Sequence, residues 1–151
     1  MSKFIYKMQN ILNIKNKLET QAKQEYSMAR IALNEEEEKL QKLFKRKSDY
    51  EEEARILMSS KLDVHKINEN SVAITTMQEF ILQQQKEVQK AEAVLEKARM
   101  KLAETMKERK VQEVLRDNAF EQFLQDEKAK ESKEVDELTS YQYGQKTNAN
   151  N

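Results

Sequence analysis

The sequence has no cysteine, proline or tryptophan, and its only glycine is Gly144. Without cysteine there can be no disulfide, no thiol nucleophile and no thiolate metal site. Tight turns depend on glycine and proline, so a compact fold with many turns is disfavoured. What remains is rich in Ala, Glu, Lys, Leu, Gln and Met, which are strong helix formers. That composition is typical of long helices and coiled coils.

An excess of charge of one sign is also missing, since 27 Lys and Arg balance 27 Asp and Glu. No overall basic field exists to attract nucleic acid or anionic lipid. No run approaches the ~18 apolar residues of a membrane-spanning helix. The N-terminal stretch is interrupted by Lys, Asn and Gln and lacks the apolar core of a signal peptide. We therefore expect a cytoplasmic protein with no nucleic-acid partner.

Residues suited to catalysis or metal binding are scarce. The only histidine, His65, lies in a predicted turn and has no cysteine or second histidine to act with. The acidic run 35–38 is followed by lysines within reach along the same helix, which favours a solvated helix face. No glycine-rich phosphate-binding loop is present. The sequence predicts that the protein is not an enzyme and has no cofactor, metal or small-molecule substrate.

Apolar residues recur at steps of three and four along two segments, which is the pattern of helices that bury one face. The first stripe covers residues 4–57, and the second begins at residue 74 and continues more loosely toward residue 124. Two successive steps of four, at Leu18, Ala22 and Tyr26, predict a stutter that locally changes the supercoil. Disorder is therefore disfavoured for most of the chain.

Between the two stripes, serine, asparagine and aspartate cluster, and these residues favour turns and helix caps. Asn70 or Ser71 is the expected N-cap of the second helix. The sequence therefore predicts an all-α fold in which two long helices form an antiparallel coiled-coil hairpin. The expected boundaries are a helix over 2–58, a turn over 59–71 and a helix over 72–142 within one domain spanning 1–143, followed by a disordered tail at 144–151.

The register of the hairpin follows from matching the two stripes against each other. The best match places Lys47 opposite Gln84, so that one polar position meets another, as coiled coils often use to fix register. The same register places Ile11 opposite Phe120 near the termini. Because such a hairpin buries only one seam (the line of side chains along which the helices face each other), we expect marginal stability in the free protein.

Some apolar residues cannot all enter one seam. At Leu43–Phe44 and at residues 80–82 they are adjacent, and neighbouring helix positions point about 100° apart. The surplus, together with nearby Tyr50, predicts an exposed patch that binds a partner, with a thickened seam as the alternative. A second cluster lies near both termini and either clamps the ends together or receives a partner. Its aromatic members are Phe4, Tyr6, Phe120 and Phe123.

Three stretches resemble the flagellar type III export protein FliJ. The first is the opening, with Phe4, Ile11-Leu12, Lys15 and Glu19, and the second is Gln78-Glu79-Phe80 after a serine-led turn. The third is the charged C-terminal stretch, which starts at Phe123-Leu124, continues through Glu127-Lys128 and ends in Lys133-Glu134-Val135-Asp136-Glu137. The resemblance covers residues 2–143.

The resemblance implies a stalk-like protein of the flagellar export apparatus that binds an ATPase without hydrolysing ATP. It places the protein in the cytoplasm, associated peripherally with the inner face of the cell membrane. The partners that it implies are the hexameric export ATPase, the cytosolic domain of the membrane export gate and export chaperones. The residues that it implies are Leu43, Tyr50 and Phe80 for the gate, and Phe4, Phe120, Phe123 and Leu124 at the terminal end for the ATPase.

The sequence departs from the family pattern at Arg46, Gln84 and Glu87, where the family has aromatic or apolar residues. The register places Leu43 and Tyr50 in the seam, whereas the resemblance turns them outward, which requires Phe44 to take more of the seam. Two other function classes remain open. One is a structural coiled-coil spacer or dimeric rod with no ATPase partner. The other is a peripheral membrane protein that uses residues 4–18 as an amphipathic helix.

We expect the free protein to be a monomer, because a hairpin buries its seam within one chain whereas a parallel rod needs two. Size-exclusion chromatography with light scattering measures the mass directly. A mass close to the 17.9 kDa of one chain supports the hairpin. A stable dimer would instead support the structural rod.

Overall fold

The structure is a computed structural model that describes residues 2–149, the last of them by its backbone alone. It contains two helices, α1 (Gln9–Ser59) and α2 (Val64–Ala149), and residues 2–149 include no strand. Contacts between α1 and α2 confirm the predicted all-α helical hairpin. The contacts divide the chain into a hairpin unit, Thr20–Glu104, and a terminal unit, formed by the residues up to Glu19 and those from Thr105 onward.

The hairpin unit is held together by one apolar seam. Its buried positions recur at steps of three and four or their sums, as expected for helices that present one face to each other. Full burial of each large member contributes ~1.5–3 kcal/mol. The small members lie on both helices, where they leave room for larger side chains. The buried apolar residues of this unit are Ala22, Ala29, Leu33, Met77, Ile81, Val88 and Ala98.

The connection between the helices is much shorter than predicted and covers only residues 60–63. The Asp63 carboxylate accepts hydrogen bonds from the backbone N–H groups of His65 at 3.1 Å and Lys66 at 3.3 Å. These amides are among those that the first turn of a helix leaves without a partner. Asp63 is therefore the N-cap of α2, and the predicted cap at Asn70 or Ser71 is wrong.

The predicted register is also wrong. The side-chain amide of Gln84 donates to the backbone carbonyl of Glu36 at 3.0 Å, and Glu36 precedes the expected partner Lys47 by about three turns. Nearer the connection, the Asn70 side chain donates to the Tyr50 carbonyl at 2.9 Å. The midpoint of the connection sets the pairing of an antiparallel hairpin, and this midpoint lies earlier in the chain than predicted. Every pair therefore slides toward the start of α1.

In the terminal unit, the seam includes charged residues. Glu19 is only 6% exposed, whereas Leu18, which the sequence had placed in the seam, is 38% exposed. Arg109 donates from Nε to Glu19 Oε2 at 2.5 Å and from Nη1 to Glu113 Oε2 at 2.8 Å. With Glu19 as the seam residue, the steps along α1 alternate between four and three, so the predicted stutter is not present.

The charged seam residues depend on their partners. The hydrogen-bonded Glu19 carboxylate raises the pKa of Arg109, and Glu113 adds to the effect. Beside this pair, Lys15 Nζ lies 3.0 Å from Glu108 Oε2. A buried charge that loses its partner is strongly destabilising, although a buried pair itself adds little net stability. These contacts therefore favour one alignment of the two chain ends.

Helix α2 continues through residues 144–149, where the sequence predicted a disordered tail; residues 150–151 lie outside the described residues. A single exposed glycine costs a helix only ~1 kcal/mol, which is too little to end it at Gly144. In the last turns, the Gln145 amide donates to the Tyr141 hydroxyl at 2.8 Å, and the Thr147 hydroxyl donates to the Tyr143 carbonyl at 3.0 Å. At the other end, α1 begins at Gln9 rather than at residue 2.

The cap of α2 can be tested by comparing Asp63→Ala with Ser71→Ala. We expect Asp63→Ala to lower the free energy of unfolding by ~1 kcal/mol, because two amides lose their acceptor. Ser71 is exposed within α2, so its substitution should have almost no effect. Denaturant unfolding followed by circular dichroism measures both. The opposite ranking would place the start of α2 at the later position.

Candidate partner-binding surfaces

Two residues of the predicted gate-binding set, Leu43 and Phe80, line one open groove of the hairpin unit. The groove has a volume of about 410 Å³. Leu43 and Phe80 supply apolar surface, and polar side chains of α2 surround them. This arrangement, an apolar centre with a polar rim, is common in protein–protein interfaces. The polar lining residues are Gln83, Gln84, Lys86, Glu87 and Lys90.

Leu43 contributes to the groove without leaving the seam. It is half-buried, while its neighbour Phe44 is 40% exposed and Phe80 is 44% exposed. The expectation that Phe44 takes more of the seam is therefore not met, and α1 is not rotated at this level. Leu43 lies at the edge of the seam, where a partner side chain in the groove could contact it together with Phe80.

Tyr50, the third predicted gate-binding residue, lies in a different groove. This second groove is closer to the connection and is lined on α1 by Tyr50, Glu53, Ile56 and Leu57. Tyr50 is half-buried, and its backbone carbonyl accepts the bond from Asn70 described above. The structure therefore brings together two of the three predicted residues, and a partner that touches all three must cover both grooves.

A polar contact forms one wall of the Leu43–Phe80 groove. Besides bonding the Glu36 carbonyl, the Gln84 amide donates to the Glu36 carboxylate at 2.5 Å. This hydrogen bond is the main cause of a lowered pKa at Glu36, and Lys39, 3.4 Å away, lowers it further. At the rim, Lys90 pairs with Glu87 at 3.2 Å. The groove therefore offers charges of both signs around its apolar centre.

At the terminal unit, three of the four predicted ATPase-binding residues form an aromatic cluster. The ring centroid of Phe4 lies 5.1 Å from that of Phe120 and 5.4 Å from that of Phe123. Phe120 and Phe123 are 6.4 Å apart with nearly parallel rings. These separations fall within the favourable range for aromatic pairs. The fourth residue, Leu124, is 51% exposed and takes no part in these ring contacts.

Residues 2–8 are not helical and lie against α2 of the terminal unit. Phe4 reaches the Phe120 and Phe123 rings, and the Tyr6 hydroxyl donates a long hydrogen bond of 3.5 Å to Gln112 Oε1. The Tyr6 carbonyl accepts from the Gln9 N–H at 3.2 Å, and the first i to i−4 bond at the start of α1 runs from the Leu12 N–H to the Met8 carbonyl at 3.1 Å. Contact with α2 thus accounts for the late start of α1. We call residues 2–8 the strap.

Sequence reasoning missed the polar residues that shape these surfaces. Lys86 and Lys90 are exposed helix residues, and exposed lysines carry no periodic signal. Glu19 was missed because Leu18 beside it is apolar, although the heptad spacing from Lys15 pointed to it.

Within residues 2–149, no group of three or more His, Asp or Glu could hold a metal ion. Over the same range, neither helix is long and apolar enough to cross a membrane.

Comparison with known proteins finds a family whose model matches this chain and a solved structure with a similar fold. A model of the flagellar FliJ protein family matches residues 3–148. Among curated proteins, no sequence matches the chain. One similar solved structure, described as a YscO homolog, CT670, from Chlamydia trachomatis, has a TM-score of 0.73 at 19% identity. The match covers 93% of this chain and 96% of that one, and at this identity it shows likeness of fold alone.

The lowered pKa of Glu36 makes a pH dependence testable. A carboxylate whose pKa is lower in the folded state stabilises the fold at neutral pH. That contribution disappears as the pH falls from near the ordinary value of 4.5 through the folded pKa. Because Gln84→Met removes the main cause, we expect unfolding free energy to fall less on acidification in this variant than in the wild type.

Gln83→Met is the matched control, since Gln83 is exposed beside Gln84 in the same groove. Denaturant unfolding at neutral pH and below pH 4.5 gives the change for each protein. The control should retain the pH dependence of the wild type. Identical acid sensitivity in all three proteins would show that the Gln84–Glu36 bond contributes nothing.

Proposed function

The chain belongs to the flagellar FliJ protein family, and from this membership we propose that it is a stalk-like adaptor that joins partners within the type III export apparatus. The family is associated with export and supplies no catalytic group. The observation that supports an adaptor most directly is the presence of apolar surfaces in both units: the Leu43–Phe80 groove in one and the aromatic cluster in the other. An adaptor requires two such surfaces.

The terminal unit is the proposed binding site for the hexameric export ATPase. Phe120 is 44% exposed even with Phe4 against it, and Leu124 is half exposed beside the cluster. From residue 128 to residue 148, every side chain of α2 is exposed. A helix with every side free can be contacted from all directions at once, which suits the centre of a ring of subunits. Phe120, Phe123 and Leu124 would provide the apolar contacts directly, and Phe4 would act through its contacts with Phe120 and Phe123.

The hairpin unit is the proposed binding site for the cytosolic domain of the membrane export gate. Leu43 and Phe80 would accept an apolar side chain of the gate, and Tyr50 would make a separate contact nearer the connection. Gln84 and Glu87 lie where the family has apolar or aromatic residues, so the wall of this groove is more polar than the family pattern implies. A gate domain that binds here should offer polar groups to match them.

Export chaperones are a third proposed class of partner, with no surface assigned to them. We place the protein in the cytoplasm as a monomer when free, held at the inner face of the cell membrane only through its partners. It would regulate the ATPase by binding, without hydrolysing ATP. A structural spacer or dimeric rod is the competing function, and it predicts no effect on the ATPase.

The two-site assignment can be tested with paired substitutions. We expect Phe120→Ala with Phe123→Ala to weaken ATPase binding about tenfold or more, as loss of interface aromatics does, while gate binding is retained. Tyr50→Ala with Phe80→Ala should have the opposite effect. Biolayer interferometry with the purified ATPase and the gate domain measures both affinities.

Val94→Ala serves as a control, because Val94 is an apolar residue of α2 that is 57% exposed and lines neither the Leu43–Phe80 groove nor the Tyr50 groove. It should leave both affinities unchanged. Circular dichroism checks that each variant remains helical. If each pair of substitutions weakened both partners equally, the cause would be general loss of structure and the two-site map would be abandoned.

A further inference from the structure

The strap is attached to α2 through two half-buried side chains, Phe4 and Tyr6. Phe4 is half-buried against Phe120 and Phe123, whereas its neighbour Ile5 is 76% exposed. The Tyr6 hydroxyl adds only a long hydrogen bond, to Gln112 at 3.5 Å. The backbone bond from the Gln9 N–H to the Tyr6 carbonyl joins the strap to its own helix, not to α2. A non-helical segment held by so few contacts opens at low cost.

Under the strap, the Phe120 and Phe123 rings form a site that one aromatic ring covers, and we call this site the slot. Phe120 and Phe123 lie 6.4 Å apart between centroids, and the Phe4 ring contacts both, tilted at 71° to one and 51° to the other. The surrounding groove, of about 630 Å³, also includes Ala119 and Asp126 of α2. If Phe4 leaves, two aromatic faces remain that another ring can contact in the same way.

The strap itself shows which chemistry fits this slot. It is a non-helical segment with two half-buried aromatic residues, Phe4 and Tyr6, and Lys3 and Lys7 lie on either side of them. Both lysines line the same groove as Asp126. A non-helical peptide with an aromatic residue between basic residues therefore matches the slot in its ring contacts and in charge.

We propose that the strap is detachable, and that the slot formed by Phe120 and Phe123 then receives an aromatic side chain from a basic, non-helical segment of the export ATPase. The strap and the partner segment compete for one site, so the free protein keeps its aromatic slot covered. The identity of the partner rests on the proposed function. The exchangeable slot rests only on the contacts of the terminal unit.

The slot can be tested without the ATPase. The probe is a fluorescent peptide with the sequence of residues 2–8, titrated into full-length Phe4→Ala, Ile5→Ala and wild-type protein and followed by anisotropy. Because only Phe4→Ala empties the slot, we expect it to bind the peptide at least about fivefold more tightly than the other two, through the aromatic contacts. The same peptide carrying Phe4→Ala should not bind.

Equal binding of the peptide to the Phe4→Ala and Ile5→Ala proteins, or no binding to either, would overturn the slot. Adding Phe123→Ala to Phe4→Ala removes one wall and should abolish binding of the peptide. Circular dichroism confirms that the variants remain folded. A further variant keeps all three phenylalanines and so does not depend on the folding of Phe4→Ala.

This variant is Lys3→Cys with Gln122→Cys, at two residues that line the groove on opposite sides. The chain has no cysteine of its own, so a short bismaleimide with a cleavable disulfide joins only these two sites. While the strap is joined to α2, stimulation of the ATPase should be at least about fivefold lower than after reductant releases it. Each single-cysteine variant, treated in the same way, is the control.

The outcomes separate the two proposals. Equal stimulation before and after release would overturn the strap as a competitor of the ATPase, while leaving the proposed function in place. No stimulation by the untreated wild type would reject the proposed function, and the peptide titration would then decide the slot by itself. Both proposals would be supported if the peptide bound only the Phe4→Ala protein and if the cross-linked variant stimulated the ATPase only after reductant released the strap.

Discussion

The carboxylate of Asp63 fixes where α2 begins, and the rest of the hairpin depends on that position. Its bonds to the amides of His65 and Lys66 leave only residues 60–63 to reverse the chain. A connection this short determines which residue of α1 faces which residue of α2. It therefore sets Gln84 beside Glu36 and decides which apolar residues share a groove. A cap one or two turns later would have produced different surfaces from the same helices.

Polar contacts along the seam favour one alignment of the two helices, which the apolar residues alone do not. Leucine, isoleucine and alanine accept many neighbours, so a hairpin built from them alone tolerates sliding by a heptad. Glu19 and Gln84 do not, since each needs a particular partner on the other helix. Such buried polar groups are costly when unpaired, which penalises alternative alignments. Both units thus carry their own determinant of alignment beside their apolar surface.

The periodic spacing of apolar residues was sufficient to predict two long helices and the hairpin, whereas it placed Ile11, not Phe4, opposite Phe120. It could not predict the cap, because several residues between 59 and 71 are equally suited to capping. A heptad pattern also matches itself after a shift of seven, so the register followed the misplaced turn. Glu19 was hidden because apolar Leu18 lies beside it. The position of the cap and the register also place Tyr50 in a different groove from Leu43 and Phe80, so this separation could not be predicted either.

The long separation of Tyr6 from its partner Gln112, 106 positions apart in the sequence, has a consequence for synthesis. Asn70 follows its partner Tyr50 by only 20 positions, so the end near the connection can close as soon as a short loop has been made. At the usual ~5–20 residues per second of translation, the strap leaves the ribosome roughly 5–20 s before its partner exists. During that interval its aromatic residues are exposed to whatever the nascent chain meets.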